Sequence, residues 1–474
     1  MKTEVILPTL VKMINQRHLR KILYKQIDEY LYKRLVAENN EDLQKVGLRR
    51  YQFLSAMLSR VLVNMDRGYV SNDIIKKIVN VLVQNNFIRD NSEYTSTVNS
   101  FRDKYGEYPP TFIVLSPTQK CNLHCIGCYA NSAASTQATI KYSYVEKVMN
   151  EIHDRWACRF VTISGGEPFM YSSEGKNLMD IFEKHKDMLF LVYTNGTLLN
   201  KDIAGRLADM ANVTPAISVE GFEKETDQRR GTGTFRKILN AFENLREAGV
   251  PFGVSVTATN KNTDVLLTDE FYDYYFGQQG ACYMWQFQLM PIGRGKDEMA
   301  LMVTPEQRLA LYRKWERLLS EKRYCIADFW NSGVLSRGCI AYGRSGGYAY
   351  IDWHGNVTPC AFVPYYVDNI YDLYDNGKTL SDALFSDFMK AGRQWQKEYG
   401  LNNWKKPKNW LMPCSIRDHY EIFRKTVLPE KVRFEDEKAK EAIESKEYFD
   451  IMKRYDKKLQ ELTEKIWESE YFNV

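Results

Sequence analysis

The chain of 474 residues is 44% hydrophobic and 26% charged, with a formal net charge of +5 and nine cysteines. That composition excludes a disordered chain and argues against a nucleic-acid binder, and it leaves room for one large domain with smaller appendages. An odd cysteine count without a signal-peptide pattern points to a reducing cytoplasm and to thiols free for metals, and no run nears the roughly 18 apolar residues that span a bilayer.

In chain order, residues 1–90 read as an N-terminal helical module. Leu7, Leu10, Val11, Ile14, Ile22, Leu23, Ile27 and Leu31 recur at helical spacing, Pro8 suits a first turn, and Asp73 caps the apolar IIKKIVNVLV run. Lys2, Lys12, Arg17, Arg20, Lys21, Lys25, Lys33 and Arg34 face only Glu4, Asp28 and Glu29, so this segment carries the whole charge excess. The polar stretch that follows, closed by Pro109 and Pro110, reads as a linker.

Over residues 111–315 short apolar runs alternate with amphipathic ones: FIVLS, YSYVEKVMNEIHD, FVTIS, KNLMDIFEKH, LFLVYT, KDIAGRLADMA, PAISVE, FRKILNAFENLREAG and FGVSVTAT. The alternation predicts an α/β fold with a parallel sheet and crossover helices, curved into a full or partial (β/α) barrel. Residues 324–420 are rich in Gly, Cys and aromatics, and 421–474 form a charged helical tail that packs one face on the body.

The chemistry concentrates in SPTQKCNLHCIGCYA, where Cys121, Cys125 and Cys128 follow a predicted strand at Cys-x-x-x-Cys-x-x-Cys spacing. Three thiolates on one short loop hold three irons of a cubane cluster and leave the fourth open. A structural zinc site is the plainer alternative, but it wants four closed ligands, and His124 is flanked too tightly to be the fourth. Further along, the predicted strands end in Ser164-Gly165-Gly166-Glu167-Pro168, Tyr193-Thr194-Asn195-Gly196 and Ser218-Val219-Glu220-Gly221.

In this order the motifs resemble the radical S-adenosylmethionine (SAM) superfamily over about residues 111–260. The resemblance implies a [4Fe-4S] cluster on Cys121, Cys125 and Cys128, S-adenosylmethionine on its open iron, and an external reductant such as flavodoxin or ferredoxin. It also implies cofactor contacts from Tyr129 beside the adenine, from Gly165, Gly166, Glu167 and Pro168 around the methionine amino group, and from Asn195 and Ser218. Arg230 is the better aligned of Arg229 and Arg230 for the methionine carboxylate, with Thr226 where the family often has His. A non-catalytic scaffold would not need Glu167, Asn195 and Ser218 in register at strand ends.

Cys339, Gly355 and Cys360 at Cys-x(15)-Gly-x(4)-Cys spacing, with Cys414 beyond, resemble the SPASM/twitch extension of the same superfamily. The YAYIDWHGNVTPC stretch reads as a hairpin turning at His354-Gly355-Asn356. The resemblance implies one auxiliary [4Fe-4S] cluster. Its fourth ligand stays open between Cys325, His419 and an iron site free for substrate, while Cys158 and Cys282 read as small core residues.

The expected reaction is reductive cleavage of S-adenosylmethionine to a 5′-deoxyadenosyl radical that abstracts hydrogen from an unactivated carbon. For the substrate, the basic amphipathic helices of residues 1–87 favour a lipid or other long-chain molecule, with peripheral contact at the membrane surface. The alternatives are helices that simply pack on the barrel and a peptide or protein substrate, the commonest one for enzymes with this extension.

Overall fold

The computed structural model describes residues 16–82 and 92–472. The expected helix start at Pro8 and the basic residues Lys2 and Lys12 lie outside them.

Seven strands form the parallel sheet of the barrel: β1 (Phe112–Leu115), β2 (Phe160–Ile163), β3 (Leu189–Thr194), β4 (Val213–Val219), β5 (Gly253–Ala258), β6 (Met284–Gln288) and β7 (Ile326–Asp328). Intervening helices cover the outer face, among them α5 (Tyr142–Trp156), α7 (Lys201–Met210), α8 (Glu223–Arg230), α9 (Thr234–Glu247) and α10 (Pro305–Arg317). The covering works through apolar spacing of three and four. On α5, Val145, Val148, Met149 and Ile152 are all fully buried, against Ile113, Val161 and Phe190 of the sheet. Each such side chain contributes about 1.5–3 kcal/mol by leaving water.

The hairpin of β8 (Tyr348–Ile351) and β9 (Asn356–Thr358) extends this same sheet. Strand β8 pairs parallel with β1, Phe112 opposite Tyr348 and Leu115 opposite Ile351, and β9 pairs antiparallel with β8 and with β10 (Asp368–Asn369). The full order is β10-β9-β8-β1-β2-β3-β4-β5-β6-β7, an open, ten-stranded wall around a lumen.

Helices α1 (Arg17–Tyr32), α2 (Gln44–Asp66) and α3 (Asn72–Leu82) precede the barrel. Arg20 and Arg49 turn inward, while Arg17, Lys21 and Lys25 stay exposed. Arg17 and Arg20 pair with Asp66, while Lys45 and Arg49 meet the nearly buried Glu316 at 2.9 and 2.6 Å. Asn64 donates to the Gly280 carbonyl at 2.6 Å, and Ser71 N–H to that of Gly249 at 2.9 Å.

The stretch read as a linker is instead largely helical, α4 (Ser92–Tyr105). Its polar composition hides a stripe of Val98, Phe101 and Tyr105. Phe101 is buried against Trp156, and the Tyr105 ring stacks on Phe385 at 4.7 Å. Tertiary packing of two aromatics overrides the weak local propensity. At the C-terminus α11 (Lys446–Trp467) buries Met452, Leu459 and Trp467 along one face, as the amphipathic pattern predicts.

Candidate metal and cofactor site

The loop from Cys121 to Cys128 lies over the C-terminal ends of the strands, where α/β folds place their ligands. Neighbouring loops hold it from below and from the side. Gly166 N–H donates to the Thr118 carbonyl and Glu167 N–H to that of Lys120, both at 2.8 Å. A Cβ on Gly165 would stand 2.5 Å from the Thr118 carbonyl oxygen, and one on Gly166 would stand 2.3 Å from that of Lys120. The glycine pair is therefore required by the close approach of the cysteine loop itself.

Glu167 is fully buried and its carboxylate is spent inside the protein: it accepts from Thr194 Oγ1 at 2.7 Å, Asn195 N–H at 2.8 Å and Phe169 N–H at 3.2 Å. Burial pushes it up to about 7, against those hydrogen bonds. The Pro168 that follows starts a short 3₁₀ turn. With the end of β3 so fixed, Asn195 Nδ2 reaches Asn122 Oδ1 at 2.8 Å and Cys121 Sγ at 3.8 Å.

From the far side, Glu220 at the end of β4 gathers both arginines of α8, Arg229 at 2.5 Å and Arg230 at 2.6 Å. Arg230 Nη1 lies 3.9 Å from Cys125 Sγ. Burial raises the Cys125 thiol, and the Arg230 and Arg229 guanidiniums oppose it; the more secluded Cys121 is pushed up to about 12. Three thiols that feel one another, in a pocket with cations and amide donors at their sulfurs and glycines clearing the approach, fit an anionic iron-sulfur cluster.

Tyr129 donates or accepts at Ser164 Oγ, 2.9 Å away, and its ring meets Phe362 edge-on. Tyr193, Phe287 and Phe329 continue that half-buried aromatic wall around the lumen, and Ser218 joins Ser255 by a 3.1 Å hydroxyl contact.

The segment after β6 supplies residues that sequence reading missed. Arg294 donates to the Cys125 carbonyl at 3.2 Å and to that of Ser132 at 2.7 Å, and its N–H bonds the Cys128 carbonyl at 3.1 Å. Gly293, at φ +53°, lets this clamp close, since a Cβ there would stand 2.2 Å from the Tyr129 carbonyl oxygen. The sequence signal was Gly-Arg-Gly following a strand that had not been identified.

Cys339, Cys360 and Cys414 also come together: beyond the effect of burial, Cys339 and Cys360 disfavour ionisation of Cys414, and Cys339 that of Cys360. The Tyr348 hydroxyl donates to Cys360 Sγ at 2.9 Å. Cys325 stands elsewhere, at the start of β7 with Cys282 for a neighbour, and His419 places Nε2 on the Met412 carbonyl between the rings of Tyr399 and Trp395. Cys158 and Cys282 are buried core thiols.

Residues 115–264 match the family model described as the Radical SAM superfamily. The chain is 29% identical over 288 residues to the mycofactocin maturase MftC of Mycobacterium tuberculosis, covering 59% of this chain and 70% of that protein. It is 25% identical over 294 residues to the AdoMet-dependent heme synthase of Methanosarcina barkeri, covering 55% and 79%. Among solved structures, Streptococcus suis SuiB bound to its precursor peptide SuiA superposes with a TM-score of 0.51 at 18% identity, covering 63% of this chain and 70% of that one. Enzymes of the superfamily use a [4Fe-4S] cluster and S-adenosylmethionine. The motif-bearing strand ends, the cysteine loop above them and the matched model agree: the chain carries a radical SAM domain and is a radical SAM superfamily enzyme.

Proposed function

We propose that this enzyme modifies a peptide, with its first cluster on Cys121, Cys125 and Cys128 and an auxiliary cluster on Cys339, Cys360 and Cys414. The similarity to a peptide maturase carries the substrate class. Of the basic residues behind the lipid reading, Arg20 is buried on Asp66, whereas Arg17, Lys21, Lys25, Lys33 and Arg34 stand exposed, so the choice of a peptide rests on the similarity alone.

When bound, the reduced cluster supplies one electron to S-adenosylmethionine and so a carbon radical. Everything else falls to side chains of this chain. Asn195 and Arg230 direct N–H groups at the sulfurs of Cys121 and Cys125, offsetting the charge that reduction adds. Arg294 and the glycine pair hold the loop's height above the strands. Tyr129, Tyr193, Phe287, Phe329 and Phe362 keep water from the reacting carbon, and the hydroxyls of Ser218 and Ser255 are polar contacts beside that wall.

The test is anaerobic turnover with a pool of peptides built from perdeuterated residues, and in parallel with anionic phospholipid vesicles carrying perdeuterated acyl chains. Deuterium in 5′-deoxyadenosine from peptide alone supports the proposal. Deuterium from the acyl chains overturns it.

A further inference from the structure

Arg308, on α10, is fully buried and each nitrogen of its guanidinium is engaged. Nε donates to Asn331 Oδ1 at 3.2 Å, and Nη1 and Nη2 grip the two oxygens of Asp418 at 2.5 and 3.1 Å. Nη2 also bonds the carbonyls of Trp330 and Leu411, at 3.2 and 3.1 Å. Asp418, itself without exposure, accepts from the backbone N–H of Cys414 at 3.1 Å and returns its own N–H to the Cys414 carbonyl at 2.9 Å. Both backbone groups of the third auxiliary cysteine, its N–H and its carbonyl, are thus bonded to Asp418.

The other side of the network runs into the barrel. Asn331 Nδ2 donates to Asp328 Oδ2 at 2.9 Å, and Asp328 at the end of β7 accepts from Gln286 at 2.7 Å and Gln288 at 3.2 Å. Those two glutamines flank Phe287 on β6, whose ring lines the lumen. A buried ion pair is poor value for stability compared with apolar packing, and it holds geometry when its polar atoms are engaged; here each guanidinium nitrogen and both carboxylate oxygens have a partner. Cys414 ends a stretch from 402 to 414 without helix or strand and caps the single turn Ser415–Asp418, so its place follows from how Asp418 is held.

We infer that Arg308 and Asp418 are the positioning residues of the auxiliary site: they set Cys414 against Cys339 and Cys360 and reference it to the lumen wall through Asp328. The inference rests on the auxiliary cluster of the proposed function. Because both oxygens of Asp418 are held by Arg308, this carboxylate is also kept off iron.

The test uses the full-length chain, reconstituted anaerobically, as wild type, Cys414→Ala, Arg308→Met, Arg308→Lys and Asp418→Asn. Iron and sulfide are counted, the dithionite-reduced electron paramagnetic resonance spectrum is recorded with and without S-adenosylmethionine, and 5′-deoxyadenosine formation reports the first cluster and the fold. From about eight irons per chain, Cys414→Ala, Arg308→Met and Asp418→Asn fall to about four and lose the auxiliary signal, while the signal that responds to S-adenosylmethionine persists. Arg308→Lys, which keeps the charge but not the fork, falls between. Arg308→Met and Asp418→Asn with full iron beside a depleted Cys414→Ala overturn the inference, as does loss of both signals together in every Arg308 and Asp418 variant. Unchanged iron in Cys414→Ala overturns the auxiliary cluster reading itself.

Discussion

Replacing Gly166 by alanine tests the closeness of the two loops with a single methyl group. Its Cβ would meet the carbonyl oxygens of Lys120 and Gln119 at 2.3 and 2.4 Å, about 1 Å inside the 3.4 Å of ordinary contact. Both obstacles are backbone, so relief requires the cysteine loop to lift by about that distance. Overpacking of this kind costs about 1–3 kcal/mol. A displacement of ~1 Å is also enough to misplace Cys121, one residue from Lys120, for a cluster whose ligand geometry is fixed to a few tenths of an ångström. The expected result is a folded protein that loses about half its iron and all 5′-deoxyadenosine formation while keeping the auxiliary signal. Gly205→Ala is the control: nothing lies within 4 Å of its Cβ, it sits in α7, and the exchange adds about 0.5–1 kcal/mol of stability. Gly166→Ala with full iron and full S-adenosylmethionine cleavage refutes the reasoning.

Three further outcomes follow from the same contacts. Glu167 has a folded value of about 7 against an ordinary 4.5, so the protonated acid is the form favoured by folding. Stability of the cluster-free chain is highest below pH 4.5 as far as this group is concerned, and up to about 3 kcal/mol is lost as pH rises through 7; denaturation midpoints followed by circular dichroism show the slope, and Glu167→Gln flattens it. Tyr348→Phe removes the hydroxyl from Cys360 Sγ, and a redox titration shows the auxiliary potential falling by about 40 mV, the equivalent of about 1 kcal/mol, with iron content unchanged. Glu316→Ala leaves the nearly buried Arg49 without its carboxylate while Lys45 keeps Glu470 at 2.7 Å, and limited proteolysis shows faster cleavage within α1 and α2, for a loss of about 3 kcal/mol.

The cysteine loop, the Gly-Gly-Glu-Pro turn and the strand ends were legible because each is a local pattern repeated at the period of a βα unit. Strands β6 and β7 were not, since MWQFQ and IAD are short and carry polar residues whose partners, Asp328 and Tyr272, are supplied by the fold. For the same reason the Arg294 clamp went unseen: it acts through backbone carbonyls far away in sequence. Arg308 has no signature at all, because a lone arginine on an amphipathic helix reads as a surface residue until Asp418 is brought to it. For the basic N-terminal helices the sequence reading weighed a membrane face; the charge pattern could not tell Arg20, buried on Asp66, from Lys21, Lys25, Lys33 and Arg34, which stand exposed, because that sorting is made by tertiary contacts.

The pairing of β8 with β1 bears on how the molecule is made. Strand β1 emerges from the ribosome early, yet one of its two edges stays unpaired until residues 348–351 have been synthesised. Throughout that interval the nascent barrel presents an open apolar edge next to the loop meant for iron, the kind of surface that recruits other chains. A truncation after residue 315 would make that transient exposure permanent, so the piece of the chain with the catalytic motifs is not a piece that can be expressed soundly by itself.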